Sequence, residues 1–172
     1  ALFSDEIEIL TKKRLSHLDR GPSLAYAARA KGDLNEGYFA LVCENHMIPR
    51  SLAATKFSHI ISPGLVRLTA SGVIYWPPAN GQRYVFIYEN TLGQPLMKNL
   101  KKGGLGWKQD RVMNTFIKPM VNVLLDMRDA DLVHGSINPM NIFDGGTDSG
   151  QDRVILGECL ATPPSYSQPV LF

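Results

Sequence analysis

Short apolar runs separated by turn-forming residues dominate the first half of this chain. Four of these segments are predicted strands, over 24–30, 38–43, 66–75 and 83–88, and the last of them is rich in aromatic and β-branched residues. The first two flank the Gly-, Asp- and Asn-containing segment 31–37, which predicts an antiparallel hairpin. Between the second and third strands, Pro49 precedes a helical pattern over 51–60. With a polar lead-in over 4–20 that suits a short strand or helix, the pattern predicts a small antiparallel sheet carrying one helix.

The second half of the chain changes to the spacing of an amphipathic helix. Over 108–128, apolar residues recur at intervals of three and four and predict one buried face, formed by Val112, Phe116, Met120, Val123, Leu124 and Met127. Pro119 predicts a kink in this helix, because proline removes a backbone donor. A shorter helix is predicted over 95–101. Two short strands, 141–143 and 153–156, flank a predicted Gly- and Asp-rich turn over 144–150, so the fold class is α+β.

Composition and charge narrow the class of protein further. The chain has 172 residues, of which 44% are hydrophobic, and its formal net charge is +2. The hydrophobic content excludes a disordered chain, and no apolar run approaches the length of a membrane span. The 18 basic residues nearly balance the 16 acidic ones, so we expect no binding to nucleic acid and no membrane insertion. Two isolated cysteines, Cys43 and Cys159, indicate a reducing compartment, and we expect a cytoplasmic protein.

One segment after the long helix carries a specific motif. It reads His134-Gly135-Ser136-Ile137-Asn138-Pro139-Met140-Asn141-Ile142-Phe143. This segment resembles the catalytic loop of protein kinase-like folds, in which a His is followed by Arg or Gly, a catalytic Asp, an apolar residue, Lys or His, Pro, any residue, Asn and two apolar residues. The match keeps His134, Pro139 and Asn141 in register.

The resemblance implies a two-lobed protein kinase-like fold, with an antiparallel N-lobe sheet, one N-lobe helix and a truncated helical C-lobe. The N-lobe would occupy 1–89. Residues 90–172 would hold the hinge, the long helix, the motif hairpin and the start of an activation segment. Tyr88 would stand in the gatekeeper position, and Glu89 and Asn90 would begin the hinge. An N-terminus without Met and an apolar C-terminal end suggest a piece of a longer chain.

The departures from the kinase pattern bear directly on activity. Ser136 stands where the resemblance places the catalytic Asp, and a hydroxyl cannot accept a substrate proton near neutral pH as a carboxylate does. Asn138 replaces the following Lys or His. The phosphate-pairing Lys of the pocket would fall at Val42 or Cys43, its partner Glu is missing from the helix over 51–60, and one Gly replaces a glycine-rich loop. Together these losses imply that His134, Ser136 and Asn138 are degenerate positions, with no catalytic residue.

Two positions keep metal-ligating chemistry. Asn141 matches the metal-binding Asn of the family, and Glu158 falls where the Asp of the Asp-Phe-Gly motif would lie. These two ligands alone would hold Mg²⁺ weakly, because magnesium demands octahedral geometry and usually shares substrate phosphates. We therefore expect no cofactor, with at most weak binding of ATP and magnesium.

The resemblance and its departures favour a catalytically inactive pseudokinase that binds a protein partner as a regulator or scaffold in signalling. The partner could cover the surface that a truncated C-lobe exposes. Two alternatives from other classes remain open. One is a divergent active kinase or small-molecule phosphotransferase with a relocated base, and the other is an unrelated α+β interaction domain.

Overall fold

A five-stranded antiparallel sheet forms the first half of the molecule. The computed structural model describes residues 1–46, 48–96, 98 and 106–161, so most of the helix predicted over 95–101 and all of 162–172 lie outside the described residues. The strands are β1 Ile7–Arg14, β2 Leu24–Ala30, β3 Tyr38–Val42, β4 Leu68–Trp76 and β5 Gly81–Glu89. They follow the order β1-β2-β3-β5-β4, and every neighbouring pair is antiparallel. The four predicted strands and their antiparallel pairing are confirmed, and β1 comes from the polar lead-in.

The two faces of the sheet carry separate apolar clusters, because successive side chains of a strand point to opposite faces. On one face, Phe39 and Leu41 of β3 pack in the cluster that contains Phe57 of α1, the helix Ser51–Ser58. We call this face the cleft side. On the other face, Val42 and Ile87 belong to a second cluster.

The long helix, α2, is continuous but not α-helical throughout. It runs from Gln109–Arg111 through a π-helical segment, Val112–Ile117, into an α-helical part, Lys118–Asp129. The Lys118 N–H donates to the Met113 carbonyl, five residues back, immediately before Pro119. Because Pro119 has no N–H to continue the regular ladder, the wide turn lies where the sequence predicts a kink.

The predicted buried face of α2 is only partly correct. Val123 and Met127 are buried, with Val123 packed closely against the backbone at Gly64, but Leu124 is 42% exposed. The part of the chain that the structure describes covers one narrow stripe of this helix and leaves a second apolar stripe exposed, formed by Met113, Ile117, Val121, Leu124 and Leu125. Within the described ranges, no helix combines the length and apolarity needed to cross a membrane.

A β-hairpin after α2 extends beyond its predicted strands. Strands β6 Ile142–Asp148 and β7 Gln151–Leu156 pair antiparallel, so the turn predicted over 144–150 is wrong for its first part. The register shifts within β6, where Gly146 has φ +72°. A left-handed glycine therefore lets the strand continue through a bulge instead of turning. Leu156 at the end of β7 pairs with the loop before β4, through its carbonyl to Val66 N–H, and joins the hairpin to the sheet.

Candidate functional site

Three segments meet in the cleft between the sheet and the β6–β7 hairpin. They are the motif segment, residues 134–143; the segment after β7, residues 157–161; and the loop between β1 and β2, residues 15–23, called the β1–β2 loop. Most of the polar side chains that they bring together are buried. Buried polar groups need partners, so the hydrogen bonds of each one define what the site can do.

His134 is held as a neutral imidazole by two hydrogen bonds of opposite direction. Its Nε2 lies 2.8 Å from the Gly157 carbonyl, and the Ser136 N–H donates to its Nδ1 at 3.1 Å. The first contact requires a proton on Nε2 and the second requires a lone pair on Nδ1. The pKa of His134 is lowered to about 4, chiefly by burial; the Gly157 hydrogen bond raises this pKa, and the nearby Arg20 and Arg50 lower it. His134 therefore connects the motif segment to the segment after β7 and stays uncharged at neutral pH.

This geometry predicts an acid-sensitive fold. An unfolded histidine has a pKa of 6.5 and the folded His134 one of about 4, so the unfolded chain binds more protons between these values. The stabilisation is complete above pH 6.5 and is lost as the pH falls towards 4, up to about 3 kcal/mol for a shift of this size. Urea unfolding of the wild type and of His134→Gln at several pH values tests this. The wild type is expected to lose more stability than the variant between pH 6.5 and 4, and parallel curves would refute the assignment.

Ser136, where the resemblance would place the catalytic Asp, is engaged by a cation from the other side of the cleft. Its Oγ accepts a hydrogen bond from a terminal guanidinium nitrogen of Arg20 at 2.7 Å. Both residues are buried, with exposed fractions of 1% for Ser136 and 9% for Arg20. Burial lowers the pKa of Arg20, while Glu158 opposes that effect. The hydroxyl is thus an acceptor in a closed contact.

The β1–β2 loop is shaped to place Arg20 in the cleft. Arg20 and Ser23 exchange both backbone hydrogen bonds, at 3.0 and 2.9 Å, around a tight turn in which Gly21 has φ +54°. This conformation and the following Pro22 suit a two-residue turn of the type that puts glycine first. Leu18, earlier in the loop, packs in the cleft-side cluster. The loop therefore fills space in the cleft with both an apolar and a charged side chain.

Glu158 accepts hydrogen bonds from its own segment and from the sheet. One carboxylate oxygen, Oε2, receives the N–H groups of Leu160 and Ala161, at 2.7 and 2.9 Å, and the Tyr88 hydroxyl at 3.2 Å. The other, Oε1, lies 3.6 Å from Arg20 Nε, which is ion-pair distance without a hydrogen bond. The residue is 3% exposed. Glu158 is therefore the ion-pair partner of Arg20 and the hydrogen-bond acceptor for the backbone of its own segment.

Asn141 and Asn138 tie the motif segment together. The Asn141 amide donates to the Ser136 carbonyl at 2.8 Å and to the Glu158 carbonyl at 2.9 Å. These two carbonyls orient Nδ2 towards them, and Oδ1 lies against Gly157, buried and without a partner. The Asn138 carbonyl oxygen of the side chain accepts the Met140 N–H at 3.1 Å and caps the short 3₁₀ turn Pro139–Asn141.

Asn141 and Glu158 each offer a magnesium ion one oxygen without a hydrogen-bond partner in the described ranges, Oδ1 and Oε1. Asn141 Oδ1 packs over the Gly157 backbone, and Glu158 already has three donors on one oxygen and a guanidinium beside the other. An octahedral ion would need several more oxygens at close range. Among the described residues, no group of three or more His, Cys, Asp or Glu side chains is arranged to hold a metal.

The predicted pocket residues divide between the two faces of the sheet. Cys43 lies in the cleft-side cluster, whereas Val42 belongs to the cluster on the opposite face. Of the two positions considered for the missing Lys, the structure places only Cys43 towards the cleft. Burial raises the pKa of the Cys43 thiol to about 12, so it is neutral there. Tyr88 is fully buried, and the hydroxyl that it presents to Glu158 also keeps its proton, since burial raises the pKa of Tyr88.

The backbone at Glu89 and Asn90, the two predicted hinge positions, is already hydrogen bonded. The Glu89 N–H donates to the Arg67 carbonyl at 3.0 Å, and the Asn90 N–H donates to the Gly37 carbonyl at 2.9 Å. The Glu89 carbonyl in turn accepts the Thr91 N–H at 3.1 Å. A ligand at this edge would have to compete with these internal contacts.

The sequence did not predict that two arginines, Arg20 and Arg50, take part in the site. Besides Arg20, Arg50 donates from its guanidinium to the carbonyls of Val133, His134 and Cys159 at 2.8–3.1 Å. Its own N–H donates to the Leu160 carbonyl. Arg20 had a usable signal, because it directly precedes Gly21-Pro22, a pair typical of a tight turn. Arg50 had none, since a single arginine beside a helix start is ordinary.

Comparison with known proteins agrees with this two-part architecture. The sequence matches no family model and no curated protein. Three crystal structures of the Mycobacterium tuberculosis PknI kinase domain superpose on the chain, one without substitutions, one single mutant and one double mutant. The TM-scores are 0.65–0.68 at 13–14% sequence identity. The alignments cover 92% of this chain and 63% of each kinase domain, so the chain spans less than two thirds of their length. The protein therefore has a protein kinase-like fold.

Proposed function

We propose that this protein is a pseudokinase, a kinase-like domain that transfers no phosphate, and that it acts by binding a protein partner as a regulator or scaffold. The observation that carries the proposal is the buried contact of Arg20 with Ser136 and Glu158. In this contact a side chain of the domain itself occupies the position at which a kinase needs a free base and a metal.

No side chain in the Ser136 contact is free to act as the general base that takes a proton from a substrate. A general base must be within hydrogen-bond reach of the proton and must hold a free lone pair of suitable basicity. The Ser136 hydroxyl accepts from a guanidinium, which makes it still less basic, and His134 next in the segment has both ring nitrogens engaged. The only carboxylate in this contact, Glu158, is shielded by Arg20 and Tyr88.

Nucleotide binding is opposed by charge and by space. Phosphoryl transfer relies on cations and backbone donors that cradle phosphates. Cys43 is neutral at the lysine position, and Arg20 is paired with Glu158. Leu18 and Arg20 of the β1–β2 loop are buried in the cleft, and the N–H groups of Glu89 and Asn90 already donate hydrogen bonds to backbone carbonyls. A nucleotide would have to displace this loop and leave Glu158 without its cation.

The exposed surface supports the protein-binding part of the proposal. The stripe of Met113, Ile117, Val121, Leu124 and Leu125 on α2 has exposed fractions of 37–47%. Contiguous exposed apolar residues are typical of surfaces that another protein segment covers. A kinase-like domain without transfer chemistry would act through such surfaces.

Thermal denaturation with Mg·ATP tests the proposal. A nucleotide with a Kd of about 0.1 mM, present at about 5 mM, would add about 2 kcal/mol and raise the Tm by about 5 °C. We expect no magnesium-dependent rise for the wild type, and no transfer of labelled phosphate to protein or small-molecule acceptors.

The control variant is Arg20→Met, which removes the guanidinium and keeps the length of the side chain. If the wild type binds Mg·ATP and Arg20→Met does not, Arg20 is a phosphate-binding cation and the expectation of no nucleotide binding is wrong. Phosphate transfer by the wild type that is lost in Asn141→Ala would replace the pseudokinase with the divergent phosphotransferase.

A further inference from the structure

A cavity of about 340 Å³ opens at the mouth of the cleft, outside the buried Arg20 contact. The β1–β2 loop forms one wall with His17, Asp19 and Arg20, and the segment after the hinge forms the other with Pro95 and Lys98. Met140 of the motif segment, 55% exposed, lies at the same cavity. Neither His17 nor Lys98 takes part in the contacts that close the cleft.

The charges around this cavity are unbalanced. Asp19 is committed to Arg14, at 2.6 Å, and to the Ala25 N–H, at 2.7 Å. Arg20 faces Ser136 and Glu158. Lys98 contacts only the neutral Gln94 amide, at 3.2 Å, and in the described ranges no carboxylate lies within ion-pair distance of Lys98 or His17. Within the part of the chain that the structure describes, Lys98 therefore brings a positive charge without an ion-pair partner to a cavity that His17 also lines.

The electrostatics of His17 agree with this geometry. Burial lowers its pKa, the nearby Lys98 lowers it further, and Asp19 only partly compensates. Because a neighbouring anion favours the protonated ring, a ligand with negative charge would reverse the effect of Lys98.

We propose that this cavity binds an acidic segment of a protein partner, with a carboxylate between His17 and Lys98 and an adjacent apolar residue against Met140. Charge complementarity selects an anionic group, which in a protein partner is a carboxylate, and the exposed thioether, a soft and adaptable contact surface, suits the apolar neighbour. The inference rests on the protein-binding part of the proposed function and adds the chemistry of the partner.

Selection of a random peptide library displayed on phage against the immobilised protein tests the inference. We expect enriched peptides that place Glu or Asp next to an apolar residue. Synthetic forms of one such peptide, labelled with fluorescein, and of its counterpart with Gln for Glu would then be titrated by anisotropy. A negative charge introduced at either basic position, by Lys98→Glu or His17→Glu, is expected to weaken binding about tenfold or more. The peptide with Gln in place of Glu should bind the wild type correspondingly more weakly. Lys31→Glu, an exposed lysine outside the cavity, is the charge-matched control and should leave the Kd unchanged.

A pH series adds a readout specific to His17. With Lys98, Asp19 and Arg20 around it, a protonated His17 is favoured only when the anion is bound, so the Kd should fall as the pH falls from 7.5 to 5.5. This dependence should flatten in His17→Gln. No enriched peptide, enrichment without acidic residues, or binding unaffected by Lys98→Glu would overturn the inference. The proposed function fails separately, on phosphate transfer by the wild type.

Discussion

Replacing Glu158 by alanine is expected to lower the free energy of unfolding by about 4 kcal/mol, because removing one partner of a buried ion pair leaves the other charge uncompensated. The change strands Arg20, which is 9% exposed, and it also removes the acceptor of the Leu160 and Ala161 N–H groups and of the Tyr88 hydroxyl. Urea unfolding followed by tryptophan fluorescence measures the loss.

A graded series separates the charge of Glu158 from its hydrogen bonds. Glu158→Gln keeps an oxygen for the two backbone N–H groups but loses the charge opposite Arg20, so it should cost about half as much as Glu158→Ala. Glu6→Ala, at an exposed carboxylate, is the matched control and is expected to change stability by less than about 0.5 kcal/mol. If Glu158→Ala unfolds at the same urea concentration as Glu6→Ala, the buried contact is not a determinant of the fold.

Gly157→Ala is expected to cost about 3 kcal/mol, since overpacking and the loss of buried hydrogen bonds add. A Cβ at Gly157 would lie 2.0 Å from Asn141 Oδ1 and 2.8 Å from a ring carbon of Phe143. Asn141 cannot retreat without breaking its bonds to the Ser136 and Glu158 carbonyls. The absence of a side chain at 157 therefore allows the motif segment and the segment after β7 to approach.

The matched control for this prediction is Gly37→Ala. A Cβ there would meet no heavy atom within 4 Å, and the backbone is not in the left-handed region. Gly37→Ala should therefore unfold within about 0.5 kcal/mol of the wild type, or be slightly more stable. Equal urea midpoints for the two variants would contradict the close packing at Gly157.

The spacing of apolar residues predicted those strands and helices well whose one apolar face packs against the core. The strand over 24–30 matches β2, and the helix over 51–60 contains α1. Prediction failed where burial depends on a partner. Leu124 lies on the apolar spacing of α2 yet is 42% exposed, since periodicity marks a face without saying how much of it other segments cover. The turn predicted over 144–150 was partly wrong for a related reason. A Gly-rich run suits a turn and a bulge equally, and here β6 continues through a bulge.

The candidate site shows the same division. The motif located the segment 134–143, and the chemistry of Ser136 already argued against a catalytic base. The motif could not reveal that Arg20 donates a hydrogen bond to Ser136, because the two residues are 116 positions apart and no local pattern connects them. Nor could the motif decide whether Val42 or Cys43 faces the cleft. The alternation of side chains along the strand decides this, because neighbouring residues point to opposite faces of the sheet.

The amino-acid sequence by itself determined the order of strands and helices, the kinase-like motif and the presence of Ser136 where the resemblance places an Asp. These features depend on residue types and on spacings within one segment. Only the tertiary structure decided that the β1–β2 loop fills the cleft, that Glu158 pairs with Arg20 and that His17 and Lys98 share a cavity. Such contacts arise when segments distant in the chain are brought together, and the desolvation of the charges that meet there then determines which of them remain paired.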